Sequence, residues 1–366
     1  MSTAILTAGP DTSQVAPAAP RARTATLLLA LAGLVGLAFV LDIALGPVRI
    51  PLPAVVKILL GQPADVPAWA FIVREIRLPK ALTALAVGSG LAVSGLQMQT
   101  LFRNPLAGPS ALGLTAGAAL GVAAVMMAGG SVAGSFAIRA LGVGGSWGLV
   151  LAATAGAALV MGLVLALSAR VRDNVVLLIV GLMIASVTGA IVSLWQYFSA
   201  PEQLQEYLLW TFGSVGGVTG GQLAVLATVV AGGLGLAFAS AKPLNALLLG
   251  ENYARSMGLA VGRARTGIIA STSLLAGAIT AFCGPIGFVG IAVPHLTRAL
   301  LRTADHRVLL PGCCLAGAAL TLGCDCLAQL PGSQTALPLS VVTSLLGAPV
   351  VLWVVLRRSN IRSSFS

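Results

Sequence analysis

Charge is what this sequence lacks. Only 8% of its 366 residues are Asp, Glu, Lys or Arg, where a soluble domain carries roughly 25%. So few charges cannot cover a water-facing surface, which excludes a soluble globular protein. Lysine is scarcer still. Lys57, Lys80 and Lys242 are the three in the chain, and none follows a glycine. No GxxxxGK(S/T) phosphate loop exists, so energy for any pumping comes from another chain or from an ion gradient. No zinc motif or catalytic triad stands out among the two histidines and ten acids. The five cysteines all lie in apolar segments and imply no disulfide framework. Cys324 and Cys326, at i and i+2 on a helix, point about 200° apart. They read as small packing residues and not as an ion site.

What the chain has in abundance is apolar sequence: 57% hydrophobic residues and a mean hydropathy of +0.99. It reads as an all-α polytopic membrane protein. The net charge of +11 does not indicate nucleic acid, because the basic residues lie mostly at the ends of apolar runs, where they orient spans. Residues 1–23 read as a disordered cytoplasmic tail, 24–358 as one membrane domain and 359–366 as a second short tail.

Ten spans fit the pattern, near residues 24–45, 78–101, 110–128, 147–169, 175–197, 221–241, 266–283, 286–301, 308–327 and 337–356. The stretch WAFIVREIRLPK is expected along the membrane surface, with Arg74, Arg77 and Lys80 in water. Residues 199–219 leave room for a short outer helix. This topology puts 15 of the 21 Lys and Arg inside and six outside, with both termini in the cytoplasm. The spans divide five plus five, so the halves have opposite orientation. Each half is interrupted after its second span, by Arg103-Asn104-Pro105 with Gly108-Pro109 and by Gly284-Pro285. Paired interruptions mark an inverted repeat of transporter type.

The longest polar interruption of the C-terminal two-thirds is Lys242 to Arg265. It reads as two short helices separated by Gly250, with Leu244, Leu247 and Leu248 on one face of the first. Glu251 and Arg255 pair at i and i+4 in the second, and Gly258 stops it. Such a compact loop is an ordinary cytoplasmic connection or the place where a soluble partner delivers force. Asp325, the one acid deep in a C-terminal span, is a proton-relay carboxylate or a structural acceptor, with structure favoured. Pro294-His295 reads as packing. Arg77 and Lys80, one turn apart on the outer side, are a solvated loop end or a docking patch for an acidic partner.

Several runs together resemble one family: REIRLPKALTALAVGSGLAVSGLQMQTLFRNPLAGPSALGLTAGAALG, LGENYARSMGL, GPIGFVGIAVPHLTRALLRTADHRVLLPG and LPLSVVTSLLGAPVVLWVVLRR. Over residues 25–358 the chain is similar to the FecCD-type permeases of iron–siderophore, haem and cobalamin ABC importers. The resemblance implies a type II importer permease that works as a homodimer or beside a close homologue. Two ATPase subunits below would use ATP and Mg, and a periplasmic binding protein would dock above; the chain itself would hold no cofactor. The match implies ATPase coupling through Leu249, Gly250, Glu251, Ala254, Arg255, Ser256, Met257 and Gly258, and binding-protein docking at Arg77 and Lys80. A further docking arginine of the family falls on Gln329 here. Asn174 falls near the inner gate, and Ser186, Ser193, Gln196 and Thr343 are polar candidates for the pathway. The expected activity is import of an iron chelate by alternating access. Cobalamin import is the alternative, and an ion-coupled secondary transporter using Asp325 is the rival from another class.

Overall fold

The structure, a computed structural model, describes residues 21–64, 66–127, 146–171, 173–329 and 337–363. The described residues form fifteen α-helices, in chain order α1 (Arg21–Ala44), α2 (Leu52–Leu59), α3 (Pro67–Phe71), α4 (Leu78–Leu101), α5 (Leu114–Met126), α6 (Ser146–Arg170), α7 (Asn174–Phe198) and α8 (Pro201–Thr211). Then come α9 (Gly220–Ala239), α10 (Ala241–Leu248), α11 (Glu251–Ser256), α12 (Val261–Cys283), α13 (Val289–Leu301), α14 (His306–Ala328) and α15 (Leu339–Ser363). Among the described residues, seven spans are long and apolar enough to cross a bilayer: α1, the helix through α3 and α4, α6, α7, α9, α12 and α14. Three shorter apolar helices, α5, α13 and Leu339–Leu352, make up the expected ten.

α4 is the axis. Nearly every side chain from Ala81 onward is buried, although the helix is polar by membrane standards. It packs against α9, α12, α13 and α14. Small residues permit this crowding. A Cβ on Gly95 would lie 1.7 Å from the carbonyl oxygen of Gly290 in α13, so glycine is required there.

The two halves use equivalent parts. In each, the third span is a 13-residue helix that follows a break. α4, the second span of one half, packs on α14, the fourth of the other; α12 packs reciprocally on α6, and α4 and α12 meet. At the breaks, Arg103 and Phe288 take positive φ. Their freed backbone groups are bonded elsewhere, as burial in a membrane demands. The Pro105 carbonyl lies 2.7 Å from His295 Nε2, the Asn104 side chain accepts from the Leu106 N–H, and the Cys283 carbonyl accepts from the Ser214 N–H at 2.7 Å.

Three expectations need correction. The WAFIVREIRLPK stretch does not lie apart on the surface. It runs into α4 through a π-helical segment, Ile72–Arg77, ahead of Pro79, and forms one continuous helix from Pro67 to Leu101. A proline lacks the N–H that would bond one turn back, and a widened turn accommodates it. α12 begins at Val261, so Arg263 and Arg265 belong to the helix and not to the preceding loop. α15 continues to Ser363, past the end expected at 358, and α1 begins at Arg21, within the expected tail. The loops at 129–145 and 331–336 and the tail to residue 20 lie outside the described residues.

Candidate coupling site

α10 and α11 lie at the end of the bundle where α4 finishes and α14 begins. Ala241, Leu244 and Leu247 bury one face of α10, and Leu248 at its edge is exposed. Gly250 separates the helices with φ +102° and ψ 153°, a conformation that glycine alone adopts at low cost. Ala254 is the buried anchor of α11. Leu249, Tyr253 and Met257, four residues apart, leave 62%, 53% and 51% of their surfaces exposed. The result is an apolar ridge on a polar loop, flanked by exposed Arg255, Ser256 and Gly258.

α10 is fixed by Asn245. Its Nδ2 donates to Asp305 Oδ1 at 2.6 Å, and its Oδ1 lies 2.8 Å from both the backbone N and the Nδ1 of His306. His306 Nε2 in turn meets Thr100 Oγ1 of α4 at 2.8 Å. Asp305 also caps α14 by accepting from the Arg307 N–H. Burial raises the Asp305 pKa, but the bonds from Asn245 and Arg307 and the charges of Arg307 and His306 outweigh it, so the carboxyl is held below its ordinary value.

α11 is fixed by Glu251. The expected pair with Arg255 is present at 3.2 Å, on the exposed side. The stronger partners were not foreseen. Glu251 Oε1 accepts from Arg265 Nη2 at 2.8 Å and from Asn174 Nδ2 at 2.7 Å. Arg265, only 5% exposed in its side chain, also donates through Nη1 to the Val171 carbonyl at 2.7 Å. Asn174 donates its second hydrogen to the Leu101 carbonyl, the last residue of α4, at 2.8 Å. A cavity of about 710 Å³ beside these groups is lined by Arg103, Asp173, Asn174 and residues 249–253 and 255. One signal could have found Arg265: it is an arginine within two turns of the start of an apolar span.

At the opposite end, Arg77 and Lys80 are not two cations in water. Arg77 is 5% exposed. Its Nη1 donates to the carbonyls of Ile43 (2.8 Å) and Ala44 (2.9 Å), and its Nη2 to that of Val48. It therefore closes the C-terminus of α1, where orphan carbonyls and the helix dipole favour a cation. Lys80 Nζ pairs with Asp325 Oδ2 at 2.8 Å. Gln329 Nε2 bridges Asp325 and Asp42, each at 3.0 Å, and Cys326 Sγ lies 3.6 Å from Asp42. Asp325 is thus held by Lys80 and Gln329. Asp42 was missed, although an acid in the last turn of the first span is legible in the sequence. A cavity of about 730 Å³ adjoins the group, lined by Arg77, Lys80, Asp325 and Gln329 together with Leu209 and residues 212–216 and 337–339.

Of the pathway candidates, Ser186 and Ser193 are exposed on α7 and Gln196 is half-buried. Ser186 bonds the Leu182 carbonyl of its own helix at 2.9 Å. Thr343 departs from expectation: it is 2% exposed and turned onto the Ser340 carbonyl, so it lines no open surface of this chain.

The family model of the FecCD transport family matches residues 34–357. The chain belongs to the FecCD transport family. Among its relatives are the vitamin B12 import system permease proteins BtuC of Shigella sonnei (strain Ss046) and of Escherichia coli O6:H1. Each is 38% identical over 292 residues, covering 80% of this chain and 85% of the relative. Among solved structures, a metal-chelate type ABC transporter in an inward-facing conformation matches with a TM-score of 0.79 and 28% identity. The match covers 91% of this chain and 99% of that one. This FecCD chain is therefore an ABC importer permease of type II fold, a transport subunit and not an enzyme, and its setting is the bacterial inner membrane. The family implies ATPase and substrate-binding partners and a dimeric architecture.

Proposed function

We propose that this permease carries a metal chelate from periplasm to cytoplasm, driven by two ATPase subunits that seat on α10 and α11. The observation that carries the reading is the ridge of Leu249, Tyr253 and Met257. Three large apolar side chains stand exposed around the α10–α11 turn, Leu249 before the Gly250 break, Tyr253 within α11 and Met257 at its C-terminal end, and such a patch marks a partner surface. The α10–α11 end is then cytoplasmic, as are both termini, and ATP and Mg are bound by the partner. A second permease copy, identical or homologous, covers the exposed flank of α7, where Val175, Ile179, Met183 and Val187 leave half or more of their surfaces open. Ser186, Ser193 and Gln196 then lie near the pathway. Of the outer pair, Lys80 keeps part of its side chain accessible beside the 730 Å³ cavity; it is the residue we assign to an acidic binding-protein contact.

For the cargo, the similarity to vitamin B12 permeases puts cobalamin ahead of an iron chelate; the match to a metal-chelate type transporter supports the broader class. The direct test is co-purification with the cognate ATPase, wild type against Tyr253→Glu, followed by ATP-driven uptake of cyanocobalamin and of a ferric siderophore into proteoliposomes. Wild type retains the ATPase and Tyr253→Glu loses it. Failure of the wild type to retain any ATPase overturns the reading. Uptake of the siderophore alone reverses the order of cargoes.

A further inference from the structure

The bonds of Glu251 join elements that hardly touch by packing. α11 rests on α10 and α12, whereas α7 rests on α5, the 109–112 turn and α6. Yet one carboxylate oxygen of α11 holds the first residue of α7, Asn174, at 2.7 Å, and holds Arg265 of α12 at 2.8 Å. Through Arg265 it reaches the Val171 carbonyl at the end of α6, and through Asn174 the last carbonyl of α4. Both amide hydrogens of Asn174 are spent in this way, and its Oδ1 is buried without a hydrogen-bond partner. Asn174 is therefore placed by these two donated bonds, one from each half of the molecule.

We infer that Glu251 and Asn174 are positioning residues that convert displacement of α11 into displacement of α7 and of the turn between α6 and α7. The inference rests on the ATPase-seating reading above and goes beyond it by naming the internal link. Packing transmits force between surfaces in contact; across a gap, a charged hydrogen bond is the remaining connector, and it is directional. The carboxylate suits the role because it holds two donors at once and is anchored by a buried guanidinium whose planar fork fixes its direction. Arg255, exposed on the far side of Glu251, contributes little to this link.

The test uses the full permease with its ATPase in proteoliposomes. A cysteine at Val176, which is 43% exposed near the start of α7, is labelled with a fluorescent maleimide. Labelling is followed with and without Mg-ATP, in the otherwise wild-type chain and with Asn174→Ala. The native Cys283, Cys313 and Cys324 are buried, and the partly exposed Cys314 and Cys326 are replaced by alanine in every variant, so the introduced thiol dominates. In the wild-type background Mg-ATP changes the labelling rate by about tenfold, the size of an ordinary coupling energy. In Asn174→Ala the ATPase stays bound and hydrolysing, because Glu251–Arg265 and the apolar ridge remain, but the response falls to about twofold or less. Glu251→Gln, which keeps the shape and loses the charge, is expected between the two. An undiminished response in Asn174→Ala overturns the inference, as does a wild-type α7 that never responds while ATP is being hydrolysed. Loss of ATPase binding in the wild type is a different result and strikes the seating reading. Where Asn174→Ala does not assemble, Glu251→Gln decides alone, with thermal stability as its folding control.

Discussion

Two groups of charges sit at opposite ends of the helix bundle and are built on different plans. Around Glu251, one carboxylate serves one buried arginine, one amide and one exposed arginine, and the carboxylate is 22% exposed. Around Asp325, two buried acids, a lysine and a glutamine close on each other, and only Lys80 keeps part of its side chain open, toward the adjoining cavity. The first joins elements that otherwise barely meet. The second braces α1, α4 and α14, which already pack tightly. A charge network that duplicates packing adds rigidity, whereas one that replaces packing transmits movement. The difference explains why similar side chains at the two ends are assigned bracing on one side and coupling on the other.

Removing one partner at the braced end gives the largest effect. Asp325→Leu leaves the mostly buried Lys80 ammonium without its partner and is expected to cost about 3–5 kcal/mol, read as a fall in thermal stability in detergent. The double variant Lys80→Met with Asp325→Leu recovers most of that loss, because no uncompensated charge remains. If the single and double variants are equally unstable, the group is held by packing alone. The same series tests the rival secondary-transporter reading: uptake that survives in the folded double variant rules out Asp325 as an obligatory proton carrier.

A middle-sized effect is expected from Arg265→Met. Its loss frees Glu251, which reaches water, so the stability cost is about 1–3 kcal/mol, smaller than at the braced end. Uptake per ATP hydrolysed should fall more steeply than stability does. Equal losses of both would erase the contrast between the two ends.

The smallest effects concern Arg255 and Asp305. Arg255→Ala removes an exposed pair and should change stability by less than about 0.5 kcal/mol. The Asp305 carboxyl has a lowered pKa in the folded protein. Its contribution is present above its ordinary, unfolded value and disappears as pH falls through the lower folded value. Melting curves below about pH 4 should therefore show a step that Asp305→Asn, which still caps the helix, removes. A step that persists in Asp305→Asn assigns the acid sensitivity to other carboxylates.

Most of the architecture could be read from the chain. Spans long enough to cross a bilayer declare themselves by apolar length, and α4, α6, α7 and α14 fall within about two residues of expectation. The breaks at Asn104-Pro105 and Gly284-Pro285 were equally plain, since proline and glycine act locally. The junction of α3 with α4 was misread because WAFIVREIRLPK has an amphipathic face that fits a surface helix as well as a continuous one. Arg77 and Lys80 were misplaced for a related reason: position in a sequence says which end of a span a cation occupies, not what lies beside it.

The sequence by itself determined a polytopic helical membrane protein, its spans, its paired interruptions and its polar α10–α11 loop, because hydropathy, helix breakers and charge bias act over neighbouring residues. Only the tertiary structure decided that Glu251 turns to Arg265 and Asn174, that Asp42 joins Asp325 across Gln329, and that Thr343 faces inward. Glu251 and Asn174 stand 77 positions apart and Asp42 and Gln329 stand 287 apart. A side chain's partner at such a separation is fixed by how the helices pack, and no local pattern encodes it.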